Sequence, residues 1–204
     1  MLKLGVMGST RGTDLQAIID AIELGKIDAQ INMVISNNEG AFILKRAKRY
    51  NIPCEWISDR GISRDEFGKK ATELMRKSKV DFVLLIGFMK ILSDSFCRDW
   101  SDRILNVHPS LLPKYAGGMN DKVHQQVLEN GESETGCTIH FVTEEVDRGP
   151  ILIQRKCSVD SDETVESLKA KVQHLEGEAF IDAITCLLYT SDAADEGLGV
   201  DLGG

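Results

Sequence analysis

Short apolar stretches alternate with amphipathic stretches along most of this chain. Seven apolar or β-branched runs predict strands, at residues 2–7, 31–36, 54–57, 81–86, 104–107, 137–142 and 151–157. Five intervening segments have apolar side chains at helical spacing, at residues 15–24, 41–50, 65–77, 122–129 and 164–185. The alternation predicts an α/β fold with a single Rossmann-like, mainly parallel sheet and helices on both faces.

The last two strands should differ from the others. Residues 137–142 and 151–157 are joined through a turn at Gly149-Pro150, so we expect an antiparallel pair at one edge of the sheet. In open α/β sheets ligands bind beyond the carboxyl ends of the strands. We therefore look for functional residues at positions 8–13, 36–38, 87–92 and 106–113, which follow predicted strands.

Length and composition narrow the class of protein. With 204 residues, 42% of them hydrophobic and 27% charged, the chain has the composition of one ordinary globular domain. A net charge of −8 argues against a nucleic-acid surface, and no apolar run approaches the roughly 20 residues that cross a membrane. Five scattered cysteines without metal-ligand spacing predict free thiols, a cytoplasmic protein and no metal site.

Asn106 and His108 are the most informative side chains, because residues two apart on a strand project from the same face. An amide donor can stabilise an oxyanion, and a neighbouring imidazole can move a proton or supply positive charge. Asp147, in a turn before Gly149-Pro150, could face the same site and keep His108 oriented and protonated. The alternative is a strand end with satisfied polar groups and no chemistry.

Five stretches together resemble the folate-dependent formyltransferase family, and in particular its members that formylate glycinamide ribonucleotide in purine synthesis. In chain order they are Gly8-Ser-Thr-Arg-Gly-Thr-Asp-Leu-Gln16, Ser36-Asn-Asn38, Gly87-Phe-Met-Lys-Ile-Leu-Ser93, Asn106 to Tyr115, and Thr138-Ile-His-Phe-Val142 continuing into Asp147-Arg-Gly-Pro150. The resemblance extends from Leu2 to about Thr185. It implies direct formyl transfer from 10-formyltetrahydrofolate, the co-substrate, to the amine of glycinamide ribonucleotide, without a metal.

The resemblance also implies roles for individual residues. Asn106, His108 and Asp147 would be the catalytic residues. The residues expected to bind glycinamide ribonucleotide are Gly12, Thr13, Asp14 and Glu176. Those expected to bind the folate are Arg64, Met89, Lys90, Ile91, Leu92 and Asn106. Two segments depart from the family: Thr13-Asp14 replaces a commoner Ser-Asn pair, and the loop at residues 115–124 is three residues longer.

Several of these residues have plainer interpretations. The loop at residues 8–12 could be a structural turn, and it matches neither a dinucleotide-binding nor a P-loop pattern. Residues 89–92 could be core, Arg64 a surface charge and Glu176 a solvated helix position. His140 could be a structural histidine or could support Asp147.

Rival functions also remain. This pattern is also similar to formyltransferases that act on methionyl-tRNA or sugar nucleotides and to deformylases, but those proteins carry an additional domain. The alternative from another class is a catalytically silent nucleotide-binding module.

We expect a formyltransferase domain at residues 1–185, which acts on small molecules as a monomer or homodimer. The composition changes at residues 186–204, where four of the last eight positions are glycine. This change predicts a disordered or non-native tail.

Overall fold

The computed structural model describes residues 1–118 and 121–197, with the backbone alone at 121 and 191–197. In chain order its elements are β1 (Leu2–Met7), α1 (Thr13–Glu23), β2 (Ala29–Ser36), α2 (Phe42–Arg49), β3 (Cys54–Trp56), α3 (Arg64–Lys77), β4 (Phe82–Leu85), α4 (Asp94–Asp99), β5 (Ile104–His108), α5 (Asp121–Glu129), β6 (Glu134–Phe141), β7 (Ile151–Ser158) and α6 (Val165–Gly197). Within this part of the chain, no helix is long and apolar enough to cross a membrane.

The strands form one sheet in the order β3-β2-β1-β4-β5-β6-β7. The pairs from β3 to β5 are parallel, whereas β6 pairs antiparallel with both β5 and β7. The predicted mainly parallel sheet and its antiparallel edge pair are confirmed. The strand order reverses between β1 and β4, and such a switch point opens a crevice beyond the carboxyl ends of the strands.

Helices cover both faces of this sheet, as predicted. Alternate residues of β1 face opposite sides, with Leu4 in one apolar cluster and Met7 in the other. The first cluster contains buried residues of α1, α2 and α6, including Leu15 and Phe180. The second contains residues of α3 and α4, including Phe96. The two cores hold the strands rigidly, so the loops at their carboxyl ends start from fixed positions.

Two helices differ from the prediction. The short helix α4 was missed because six residues give little periodic signal, although Ser93 caps it by accepting a hydrogen bond from the Phe96 N–H at 3.3 Å. Helix α6 does not end near residue 185 but continues to Gly197. Leu187 is buried in the first cluster and Leu188 packs against it, so apolar contact carries the helix past the predicted boundary. Residues 198–204 of the predicted tail lie outside the described residues.

Candidate active site

Strand β5 places Asn106 and His108 beside the antiparallel strand β6. Asn106 pairs in register with His140, and His108 pairs with Thr138. His108 is 3% exposed, and Asn106 is half-buried. A side chain on a central strand has little freedom to move. The two polar groups predicted from the Asn-x-His spacing are therefore held together at the carboxyl end of β5.

A tight turn between β6 and β7 brings Asp147 to this pair. At Gly149, a Cβ atom would lie 1.8 Å from the Phe141 carbonyl oxygen, so only glycine allows the turn to lie this close to β6. Asp147 itself has a φ of 55°, in the left-handed region that aspartate tolerates better than most residues. Its Oδ2 atom lies 3.2 Å from His108 Nδ1 and accepts the Gly117 N–H at 2.8 Å. The predicted proximity of Asp147 and His108 is thus present.

The protonation of His108 differs from the prediction. Burial lowers the pKa of His108 below its usual 6.5, and this effect outweighs the opposing influences of Asp147 and the Tyr115 carbonyl. The expectation that Asp147 keeps this imidazole protonated was therefore wrong for this structure, in which burial is the larger effect. His108 Nε2 lies 3.0 Å from the Tyr115 carbonyl oxygen, so both ring nitrogens face acceptors. A neutral ring can donate to only one of them.

Asp147 is the charged member of the pair. Burial raises its pKa, but the nearby His140 and His108 and the Gly117 N–H together hold that pKa below its usual value. The side chain is 9% exposed, which limits screening by water. A fixed negative charge therefore lies against His108 in a nearly dry site.

The proposed ribonucleotide residues lie at the start of α1 and on α6. Gly12 caps α1 in the left-handed conformation, with a φ of 66°, and no side chain occupies the free N–H groups of this helix end. Thr13 is exposed and Asp14 is buried. Glu176 is partly buried, and its charge interacts with that of Asp14. The structure therefore brings together residues separated by more than 160 positions.

Most of the proposed folate residues line one cavity of about 190 Å³ near the switch point. Arg64, Lys90, Ile91 and Leu92 are among its lining residues, whereas Met89 and Asn106 are not. Phe67 and Phe88 form part of its apolar wall. An apolar cavity with a few charged groups at its edge suits a flat, partly polar ligand.

Hydrogen bonds join the loop after β1 to the loop after β4. Ser9 Oγ accepts the Met89 N–H at 2.9 Å and donates to Asn37 Oδ1 at 2.7 Å. Asn37 Nδ2 donates to Asp59 Oδ2 at 3.3 Å, and Lys90 Nζ lies 2.8 Å from the same carboxylate oxygen. The two loops that flank the crevice are therefore positioned relative to each other by side chains as well as by the sheet.

Comparison with known proteins identifies the family. The model of the formyl transferase family matches residues 2–184. The chain belongs to the formyl transferase family. Its phosphoribosylglycinamide formyltransferase relative from Haemophilus influenzae is 40% identical over 181 residues, which cover 88% of this chain and 84% of that protein. A relative of the same name from Escherichia coli is 39% identical and covers 84% of this chain.

Solved structures and longer proteins agree with this family. Glycinamide ribonucleotide transformylase 1 from Symbiobacterium toebii has a TM-score of 0.86 and 36% identity, with 90% of this chain and 86% of that chain covered. Trifunctional purine biosynthetic protein adenosine-3 from Gallus gallus is 40% identical over 184 residues. This chain spans 18% of that trifunctional protein and 14% of its Drosophila melanogaster counterpart.

His140 is the residue of this candidate site whose role was left undecided by the sequence. Its Nδ1 donates to the Phe141 carbonyl at 2.9 Å, and its Nε2 lies 3.1 Å from Asn106 Nδ2 and 3.5 Å from Asp147 Oδ1. With the proton on Nδ1, Nε2 accepts one N–H of Asn106 and thereby fixes the orientation of the amide. The sequence did contain a signal for His140, because it occupies every second position with Thr138 and Val142 on a strand that can pair with β5.

Two further features of the described residues are the grouping of possible metal ligands and the state of the cysteines. Among residues 1–118 and 121–197, no three His, Cys, Asp or Glu side chains are grouped to hold a metal ion. All five cysteines carry free thiols.

Proposed function

We propose that this protein transfers the formyl group of 10-formyltetrahydrofolate to the amine of glycinamide ribonucleotide, as phosphoribosylglycinamide formyltransferase. The observation that carries the proposal is the cluster of Asn106, His108 and Asp147 at the carboxyl end of β5, in which His108 is buried against Asp147 and His140 lies between Asn106 and Asp147. Relatives of that name are about 40% identical along most of both chains. An amide donor, an imidazole and a carboxylate are the groups that acyl transfer to an amine requires.

In the reaction, the amine attacks the formyl carbon directly and creates a negative charge on the formyl oxygen. Asn106 donates to this oxygen with the N–H that His140 leaves free. His108 moves a proton to the departing folate nitrogen, and Asp147 stabilises the imidazolium that this requires. No covalent enzyme intermediate is needed, because holding two substrates in line supplies much of the rate enhancement.

His108 must exchange one contact before it can act. Its Nε2 lies against the Tyr115 carbonyl, and the Gly117 N–H donates to Asp147 from the same loop. We propose that the bound substrates take the place of the Tyr115 carbonyl. The loop would then move away from Nε2 while Asp147 stays against Nδ1. In that arrangement Asp147 would favour the charged imidazole, since the opposing burial by the loop is reduced.

The two substrates would occupy opposite sides of this cluster. Gly12, Thr13 and Asp14 would hold the phosphate of the ribonucleotide at the free N–H groups of α1, and Glu176 would contact the same nucleotide. The folate would enter the cavity between α3 and the loop after β4, against Met89, Ile91, Leu92 and Asn106. Arg64 and Lys90, at the edge of this cavity, would meet its carboxylates.

A formyl-transfer assay with the purified chain tests the proposal. We expect turnover that depends on both substrates, a large loss in His108→Ala and none in His174→Ala, a matched change at a side chain that is 80% exposed. Transfer that persists in His108→Ala would contradict the assigned role. Release of formate without any acceptor would favour a deformylase, and no reaction with either substrate would favour a silent binding module.

We further propose that the enzyme works in the cytoplasm as a monomer or homodimer, without nucleic acid or membrane partners. Free cysteines and the net charge of −8 support this assignment. We also propose that residues 1–185 form the formyltransferase domain, and that residues 186–204 are a dispensable or non-native tail except where Leu187 completes the core. Analytical ultracentrifugation at several concentrations would measure the oligomeric state.

A further inference from the structure

Asp14 is a buried carboxyl group, one of whose oxygens has no hydrogen-bond partner among the described residues. It lies in the first turn of α1, is 5% exposed, and has an Oδ1 atom that no polar group contacts within the described residues. An ionised carboxylate loses several kcal/mol of hydration when it is buried without compensation. The amide dipoles at the start of α1 favour the anion, but they act over one turn only. Asp14 thus has a geometric reason to keep a proton.

A second carboxyl group faces it across a tight helix interface. A Cβ atom on Gly177 would lie 2.8 Å from the Cβ of Ala17, so α1 and α6 approach closely at this point. Ala17 is one helical turn after Asp14, and Gly177 follows Glu176. Two carboxyl groups in such a position cannot both ionise without strong repulsion.

The groups around the pair do not neutralise two negative charges. Burial raises the pKa of Asp14 to about 7, and burial together with Asp14 raises the pKa of Glu176 well above its usual value. Lys169, on α6, opposes this shift of Glu176 only in part. From β6, Cys137 faces both carboxyls, and burial with their charges raises the pKa of its thiol to about 12. Cys137 therefore stays a neutral thiol.

We propose that Asp14 and Glu176 share one proton and that glycinamide ribonucleotide binds with this proton in place. The inference rests on the proposed function, which puts the phosphate of the ribonucleotide at Gly12 to Asp14. A doubly ionised pair would repel that phosphate, whereas a pair that keeps one proton carries one negative charge less and resembles the neutral asparagine side chain at Asp14. The proton thus lets this chain use aspartate where many family members have asparagine.

The pH dependence of KM for glycinamide ribonucleotide tests the inference. Above pH 7 the phosphate has completed its second ionisation, whose pKa is about 6. In the wild type we expect this KM to rise by up to about tenfold per pH unit above pH 7, as one required proton is lost. In Asp14→Asn the rise of KM that comes from losing this proton should disappear. Ionisation of the substrate amine also changes KM, but it does so equally in both proteins. The KM for the formyl donor should lack the Asp14-dependent rise.

Asp20→Asn is the matched control, because Asp20 is exposed on the same helix. It should keep the pH profile of the wild type. An equal rise of KM in wild type and Asp14→Asn would overturn the inference. A rise that magnesium chloride removes would also overturn it, because a cation rather than a proton would then neutralise the pair.

Infrared difference spectroscopy measures the proton independently of activity. We expect a protonated carboxyl band at pH 6 that is lost as the pH rises through 7 and is absent from the double variant Asp14→Asn with Glu176→Gln. Without this band in the wild type, the shared proton is refuted. If the band is present but no formyl transfer to glycinamide ribonucleotide occurs, the carboxyl pair stands and the proposed function fails.

Discussion

Replacing Asp14 by asparagine should stabilise the protein at alkaline pH and leave its stability almost unchanged at acidic pH. Asp14 is 5% exposed and has an unpartnered oxygen, so its ionised form is poorly accommodated. Asparagine has nearly the same shape as the protonated carboxyl, so the substitution should introduce no cavity. The two proteins should differ in stability only above about pH 4, where Asp14 begins to ionise in the unfolded chain.

The sign and size of the effect follow from the pKa of Asp14, which is raised from 3.8 to about 7 in the folded protein. The associated stability is fully present below about pH 4 and is lost as the pH rises through 7, because the folded state binds the proton more tightly. A shift of this size corresponds to on the order of 4 kcal/mol. Since Glu176 shares the proton, we expect Asp14→Asn to gain about 1 to 3 kcal/mol at pH 8.

Urea unfolding followed by tryptophan fluorescence between pH 5 and 8 would measure this difference. His108, whose pKa is lowered by burial, contributes the opposite slope below pH 6.5, but it does so in both proteins and cancels. The free energy of unfolding of Asp20→Asn should follow that of the wild type at every pH. If the free energy of unfolding of Asp14→Asn also follows the wild type, Asp14 ionises freely and our reasoning about its burial is refuted.

Three further predictions concern the catalytic cluster and the end of α6. Asn106→Ala should lower kcat by about 10² to 10³, with smaller changes in both KM values, because one oxyanion donor is lost; near-normal turnover would refute this role. Asp147→Asn should lower the pKa of His108, measured by NMR titration, since its carboxylate favours the imidazolium; an unchanged value would exclude the coupling. Deletion of residues 190–204 should leave activity and Tm almost unchanged, whereas deletion of 186–204 should lower Tm by several degrees because it removes the buried Leu187; equal Tm values for the two deletions would refute the packing argument.

The sheet and its order of elements were predictable because apolar periodicity reports which face of a strand or helix is buried. Residues 82–85 are uniformly apolar and form a central strand, and Gly149-Pro150 indicated the antiparallel turn. Helix α4 was not predictable in this way, since six residues span less than two turns. The end of α6 was misplaced because composition changes near residue 186, whereas the buried Leu187 still continues the apolar contact.

The members of the candidate catalytic cluster could be predicted from the sequence, but their electrostatics could not. The spacing of Asn106 and His108 places both groups on one strand, and this needs no knowledge of other elements. The pKa of His108 depends mainly on the burial of its ring, which lowers it, and then on Asp147 and the Tyr115 carbonyl, which raise it. A sequence pattern contains no information on how deeply an imidazole is buried. The pKa of His108 was therefore expected to be raised by Asp147, whereas burial lowers it.

For Asp14, too, the residue could be singled out in the sequence, but its surroundings could not be predicted. The sequence alone marks it as a departure from a common Ser-Asn pair, and a carboxyl at the start of a helix is an ordinary stabilising feature. Its partner, Glu176, lies 162 positions later and meets it only because Gly177 lets α6 approach α1. Periodicity predicts that both helices pack on the sheet, but it does not predict which of their polar residues face each other. A carboxyl that ends up buried, unpartnered and opposite a second carboxyl has to be found in the structure, and its proton is then a property of the interface rather than of either helix.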